Sequence, residues 1–471
     1  MQSIGPRAAA YALACLFALA LAIDLLWMPI QVGDSLGEIL DAQQTASAWE
    51  AFVEKFGTES YLRPFRIAQI KVLFDAAQGS HYWLVFRGFH AALIAAAILL
   101  FVRALRVSSI VDFSAAAFAL VTLVGLQTFR GTVGEAFPIN HFLEMVVFCL
   151  VALNLARSRG GILVDIAALI VFAMAALTLE SGLLVWVVAA AAWACGWRGI
   201  SARGLAVMTV LLGGYLYLRF AYLDTGVPTI TERSSGYLLE VLEPSEIQER
   251  FGAHPLWYYA YNMMASIGAV LFSEPQSGVF EAVRTWRDEA PLARVAIPVA
   301  TSLMTTGLIV WAAWRRLRDR TWDDAGRMMV IFGAVLLANA ALSFAYTKDE
   351  IVSIAGAFYA LAVYGVVRGL LVAAPDRGPA VAAACAVIVC VLSAGWTFRA
   401  VGVHVFLRSQ AIKQQSDWVP LPYARQRSGD WPEDPAAQQL ILQLRRQAIA
   451  LPVPNTRIDE PEWPSRFWTD D

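Results

Sequence analysis

The chain has 471 residues, of which 58% are hydrophobic and only 16% charged, with a formal net charge of -2 and a mean hydropathy of +0.56. An ordinary soluble domain carries roughly a quarter charged residues, so this composition excludes that class and points to a polytopic membrane protein. The near-neutral balance also excludes a nucleic-acid partner, which would require a basic surface to neutralise phosphates.

In chain order, Arg7 precedes an apolar run from Ala8 to Ile30. The run is too long for a signal-peptide core and lacks a small-residue cleavage site, so it reads as a first transmembrane helix with its amino end inside. A polar stretch from Gln31 to Tyr82 follows, the first outside loop, around which the chain is organised. It opens on Asp34, Glu38 and Asp41. Trp49, Phe52, Val53 and Phe56 then recur at i, i+3, i+4 and i+7, the spacing of one helical face, which is expected to lie on the membrane surface. In Tyr61-Leu62-Arg63-Pro64, proline fixes its own φ and pushes Arg63 out of helical geometry, presenting a guanidinium near the headgroup level.

Further spans are expected at 83–102, 112–129, 139–156, 162–179, 182–197 and 204–222, each near the roughly 20 residues a bilayer core requires. Arg103 and Arg106, Arg157 and Arg159, and Arg198 and Arg203 fall on the side of Arg7, as the positive-inside tendency predicts. The apolar piece Leu256 to Phe272 is expected to dip in or lie flat. If it crossed, the arginines between 315 and 320 would face outside. Spans at 294–314, 328–346, 351–372 and 379–399 complete an all-α bundle of about 11 transmembrane helices. The expected organisation is a transmembrane domain over 1–400 and an extracytoplasmic tail over 401–471. In the tail Asp434 caps a helix, Pro435 takes its first position, and Leu440, Ile441 and Leu444 face inward. The five cysteines fall in apolar segments without pairing and read as small hydrophobes, neither a disulfide framework nor a metal site.

The chemistry is expected where ionisable residues gather on the outside face, because a charge at membrane depth is costly and seeks a polar cavity or a partner. These residues are Asp24, Asp34, Glu38 and Asp41; Arg63 and Arg66; Arg87 and His90; Arg130, Glu135, His141 and Glu144; Glu180; Arg219; and Lys348, Asp349 and Glu350.

Tyr61-Leu-Arg63-Pro64-Phe65, followed by a helix that carries His90 and ends in Arg103-Ala-Leu-Arg106, resembles the Y-x-R-P and following helix of the GT-C superfamily of membrane glycosyltransferases. The nearest style is the mannosyltransferase-like and tetratricopeptide-linked O-mannosyltransferase branches. Thr178-Leu-Glu180-Ser181 is similar to their K-E-[ST] stretch, and Tyr346-Thr-Lys348-Asp349-Glu350 resembles their late polar loop. The resemblance covers roughly residues 1 to 370. It departs from the pattern at Gly33-Asp34-Ser35, where paired acids are usual, and at Leu179, where a lysine is usual.

What the resemblance implies is an inverting transfer from a polyprenyl-phosphate sugar to a glycan, lipid or protein acceptor on the outer face. A first-loop carboxylate would act as general base, and cations would stabilise the departing lipid phosphate. Asp34 is the first choice of base, because Gly33 lets the chain turn just after the first helix; it equally suits a cap for a helix starting at Ser35. Glu38 is the second choice. Arg63, Arg87, Arg219 and Lys348 are the candidates for the lipid phosphate, arginine being favoured for its bidentate fork. The structural alternatives are a snorkelling Arg63, a paired Arg87 and an Arg219 that merely ends its helix. Tyr61, His90, Glu135, Glu180 and Asp349 are acceptor-site or supporting candidates. No cofactor is implied, and His90 and His141 lack the partner spacing of a zinc site.

Two other classes remain open. A secondary transporter or flippase would show helices broken at mid-membrane, and none is evident in the sequence. A noncatalytic scaffold would use the outside loops and tail as partner surfaces. The expected location is the plasma membrane, of the bacterial inner-membrane kind, with a cytoplasmic amino terminus.

Overall fold

The computed structural model describes residues 5–54, 56, 61–77, 81–134, 138–224, 235–237, 240–252, 256–272, 285, 293–345 and 347–452. The side chains of Asp34, Pro244, Ala293, Arg294 and the residues of two short strands fall outside that description. The architecture is all-helical and membrane-embedded. The only strands among the described residues are Ser235–Tyr237 and Glu240–Leu242, an antiparallel pair in which Gly236 faces Val241.

The helix α1 (Pro6–Leu25) starts with proline at its first position, where a missing N–H costs nothing. The first loop then folds into α2 (Asp34–Gln44), α3 (Ala48–Glu54) and α4 (Pro64–Ala76). The bundle continues with α5 (Tyr82–Leu105), α6 (Ile110–Gly125), α7 (Gln127–Gly134), α8 (His141–Ala156), α9 (Ile162–Ala176), α10 (Leu184–Ala194) and α11 (Ala202–Tyr217). After α12 (Pro244–Phe251) and α13 (Leu256–Phe272) come α14 (Ala293–Asp319), α15 (Asp324–Leu342), α16 (Ser353–Ala373) and α17 (Pro379–Trp418). The chain closes with α18 (Leu421–Ser428) and α19 (Pro435–Ala450).

Each expected span coincides with an apolar helix of the bundle. Seven are long and apolar enough to cross a membrane: α1, α5, α11 with the π-turn that extends it, α14 from Val295, α15, α16 and α17. The pair α6 and α7, bent by 60° about Leu126, makes up to an eighth. The other three, α8, α9 and the α10 segment from Glu180, are shorter apolar helices. Their ends sort into two groups. At one end Arg106 reaches the carbonyl of Arg157, Arg157 reaches Asp324 at 3.3 Å, and Arg368 reaches Asp112 at 2.6 Å. This is the basic end, also marked by Arg7, Arg103 and Arg377. The opposite end carries the first loop.

The segment Leu256 to Phe272 forms α13 as one helix. Its early Tyr259 meets Phe344 edge-on, with ring centres 5.0 Å apart, and Asn262 donates to the Phe344 carbonyl at 2.9 Å, both past the first-loop end of α15. Its late Leu271 accepts from Thr306, halfway along α14. The helix therefore begins at the first-loop end and its last turn lies at mid-depth.

Two sequence expectations change in detail. The last span does not stop near residue 399: α17 runs unbroken for 40 residues, about 60 Å at 1.5 Å per residue, so the expected boundary at 400/401 lies inside a helix. Its continuation is anchored, with Trp418 fully buried and its indole N–H donating to the Ile30 carbonyl at 2.6 Å. The Trp49 to Phe56 stripe is not one helical face, because α3 ends at Glu54. Trp49 and Val53 are exposed, whereas Phe52 and Phe56 lie ring against ring, 5.4 Å apart, with Phe56 against the main core.

The tail helix α19 follows its sequence. Asp434 accepts from the N–H groups of Ala436 and Ala437, and Leu440, Ile441 and Leu444 are buried. They pack with Leu36 and Ile39 of α2, Ile70 of α4 and Phe86 of α5 in a second apolar core. That core clamps the first loop between the tail and the bundle.

Candidate functional site

Pro64 stands at the first position of α4, and Arg63 before it has φ -129° and ψ 45°, outside helical geometry as its neighbour requires. The N–H of Phe65 donates to the Leu177 carbonyl at 3.0 Å, tying the start of α4 to the end of α9. Three residues past Leu177 the chain forms a tight 3-10 turn, Glu180–Leu183. That turn presses against α9 so closely that a Cβ on Gly182 would stand 2.1 Å from the Ala175 carbonyl oxygen. Only glycine permits the approach, and the approach delivers Glu180 to Arg63.

The two form a fork, Nε to Oε1 at 3.3 Å and Nη2 to Oε2 at 2.7 Å. The guanidinium turns back onto Glu180. Arg219 does more than end its helix. It sits in the π-turn Leu218–Tyr222, is 5% exposed, and reaches the same carboxylate at 3.2 Å and the Tyr215 hydroxyl at 3.2 Å. The Tyr61 ring lies 4.3 Å from the Arg63 guanidinium and 6.0 Å from that of Arg219. Arg63 and Arg219 thus share one carboxylate.

One turn further along α4, Arg66 pairs with Glu38 of α2, and Gln69 donates to Glu144 of α8 at 2.6 Å. Arg63, Arg66 and Gln69 follow at i, i+3 and i+6, so one stripe of α4 lines the site. Glu144 is 3% exposed, and its Oε2 has no hydrogen-bond partner among the described residues. His141, one turn earlier on α8, is buried within electrostatic range of Arg66, Arg63 and Lys348. Lys348 lies 3.9 Å from Glu350 and 5.8 Å from the Phe142 ring.

Of the residues singled out in the sequence, Tyr61, Arg63, Glu180 and Arg219 meet directly, and Glu38 and Lys348 border the same region. Asp349 is turned aside: it accepts from Gln127 at 3.0 Å, and Gly131 of α7 lets its loop approach, a Cβ there standing 3.3 Å from Asp349 Cβ. Arg87 and His90 form a fully buried pair, Nη1 to Nδ1 at 3.1 Å, and His90 Nε2 lies 3.2 Å from the Asn140 amide. Asn140 itself caps α8 by accepting from Leu143 N–H at 3.0 Å, so His90 belongs to a helix-packing network.

The Glu135 position and the Asp34 side chain lie outside the described residues. The backbone places Asp34 as the first residue of α2, with Gly33 as the cap at φ -59° and ψ -121°, one position earlier than the expected start at Ser35. At the edge of this end, Asp24 of α1 is paired with His404 and lies 4.0 Å from Arg408, both on α17. Among the described residues no three His, Cys, Asp or Glu side chains form a group that could hold a metal ion.

Gln69 and Tyr215 were not singled out in the sequence, whereas His141 and Glu144 were among the ionisable residues gathered on this face. The i, i+3, i+6 polar stripe after Pro64 was a usable signal for Gln69. Tyr215 precedes Arg219 at i and i+4, a local spacing that signals the pair. The fold and site define a helical membrane protein with a partly buried ionic cluster at its first-loop end. No protein-family model matches the chain, and neither a curated protein nor a solved structure matches it.

Proposed function

We propose that this protein is a GT-C-type glycosyltransferase that moves a sugar from a polyprenyl-phosphate donor to an acceptor at the first-loop end of the membrane. The observation that supports the reading most is the meeting of Arg63 and Arg219, from distant parts of the chain, on the single carboxylate of Glu180, with Tyr61 against both. Two guanidiniums held ready side by side in a partly buried site are what a departing lipid phosphate requires. In the transfer, the acceptor oxygen bonds to the anomeric carbon, the bond to the phosphate oxygen breaks, and the acceptor proton passes to a first-loop carboxylate. Glu38 is held by Arg66, and Asp34, the first residue of α2, is the base in this reading. Donor, acceptor and membrane lipid are the partners; no cofactor enters.

In the same proposal all eleven apolar segments cross, with the amino terminus cytoplasmic, the first loop and tail outside a bacterial-type inner membrane, and α13 re-entrant. Cysteines placed at Ser245 and Ser158 would then label from opposite sides. Incubation with a panel of radiolabelled polyprenyl-phosphate sugars tests the activity. Asp34→Asn keeps shape but not proton acceptance and is expected to cut transfer roughly 10²-fold while donor binding persists. Arg63→Lys keeps charge without the fork and is expected to raise the donor requirement. Transfer by Asp34→Asn at the parent rate overturns the assignment.

A transporter reading draws on one specific feature: the 60° break at Leu126 between α6 and α7 is a discontinuous helix that the sequence did not disclose. Movement of the labelled donor across sealed vesicles without transfer would favour it.

A further inference from the structure

At the basic end, the start of α1 and the end of α5 enclose a cavity of about 290 Å³. Arg7, Arg103 and Arg106 line it, together with Tyr11 and Ser108, and no carboxylate is among the lining residues. Neighbouring groups do not supply the missing anion. Asp112 is committed to the Ser108 hydroxyl and N–H, the Ser109 N–H and Arg368. Arg106 also donates to the Arg157 carbonyl.

An arginine in the last turn of α5 is accounted for by the orphan carbonyls there, which attract cations. That account covers Arg103 but not Arg7, which α1 brings to the same cavity from its first turn, the end of a helix that attracts anions. Arg7 and Arg103, with no carboxylate among the described lining residues, and Arg106, which also borders a neighbouring cavity lined by Asp112 and Asp324, make a basic concavity that fits a phosphate group, which arginine engages in bidentate fashion.

The surroundings choose between a free phosphate and a lipid. Along α1 the ridge Arg7, Tyr11, Cys15, Leu19 at i+4 spacing passes from the cavity to exposed apolar side chains, Cys15 and a Leu19 that is 58% exposed. On α5 the half-buried Leu99 lies one turn deeper than Arg103. A headgroup in the cavity would therefore have apolar surface beneath it for its acyl chains.

We propose that this cavity binds the phosphate headgroup of an anionic phospholipid in the leaflet at the basic end. The assignment is independent of the glycosyl-transfer reading. Basic pockets between membrane helices are suited to such headgroups, each arginine contributing a modest, additive attraction.

The test is native mass spectrometry of the full-length protein, released from nanodiscs containing equal phosphatidylglycerol and phosphatidylcholine. The wild type is expected to retain phosphatidylglycerol preferentially. Arg7→Gln with Arg103→Gln is expected to lose that preference by roughly thirtyfold, from the attraction of two arginines near a membrane surface. Both side chains are exposed, so the pair is not needed for folding. Arg203→Gln, an exposed arginine of the same end outside the cavity, should change nothing. Equal retention of the two lipids by the wild type overturns the proposal. So does an equal loss in Arg203→Gln, which would reveal only diffuse charge, or displacement of the lipid by millimolar glycerol phosphate, which would make the cavity a site for soluble phosphate.

Discussion

At the basic end of the bundle, Asp112 completes a capping box with Ser109 for α6, Asp323 caps α15 by accepting from the Gly326 N–H at 2.7 Å, and Asp165 accepts from the Ser201 N–H at 2.8 Å. At the first-loop end Glu38, Glu180 and Asp24 are held by side chains. Their partners come from distant parts of the chain: Arg66, Arg63 with Arg219, and His404. The first three carboxylates satisfy backbone groups at helix starts, Asp112 and Asp323 while also meeting Arg368 and Arg316, and the other three are held chiefly by side chains. The first arrangement is a folding device that survives loss of its arginines. The second is a set of mutually dependent charges, expensive to disturb and suited to being opened by an anionic substrate.

The contrast is broken or sharpened by substitution. The largest effect is expected at Glu180. Glu180→Gln leaves Arg63 and the 5%-exposed Arg219 without their shared counter-charge, and should cost about 3–5 kcal/mol, read as unfolding in denaturant titrations in detergent. An unchanged midpoint would mean the cluster is not a stability element. Gly182→Ala comes next, because its methyl would collide with the Ala175 carbonyl oxygen at 2.1 Å; about 1–3 kcal/mol is expected from the forced shift. A tolerant Gly182→Ala would detach the 3-10 turn from the placement of Glu180.

At the basic end, Asp323→Ala should cost about 1 kcal/mol as a lost cap. Burial raises the Asp323 carboxyl, but the Arg316 guanidinium and the Gly326 N–H outweigh it and hold the group below the usual carboxylate range. A depressed folded value means that the contribution is complete above the unfolded value of about 4 and fades as pH falls through the folded one. Acid titrations of the wild type and Asp323→Ala should therefore converge at low pH, and parallel curves would refute the linkage. The smallest effect is expected at Arg368, whose side chain is 49% exposed. Arg368→Gln leaves Asp112 its serine partners and should change stability by less than about 1 kcal/mol, less still at high salt.

The basic end was largely legible from residues alone. Arginine positions and proline at helix starts are local signals, acting within three or four residues, as is Asp434 before Pro435 in the tail at the other end, and the helices form where those signals lie. The apolar segments were legible for the same reason, since a run of hydrophobic side chains must be helical to satisfy its backbone in lipid. The first loop was legible as a place but not as a geometry. Arg63 was visible as a bent turn, yet its partner Glu180 stands 117 residues away, and a spacing of that size carries no periodicity to read. The break at Leu126, the unbroken run of α17 to Trp418 and the packing of α19 on α2 were decided by tertiary contact. A helix that finds a buried partner for its next turn continues, whatever its own hydropathy predicts, and which partner it finds depends on how the whole bundle packs.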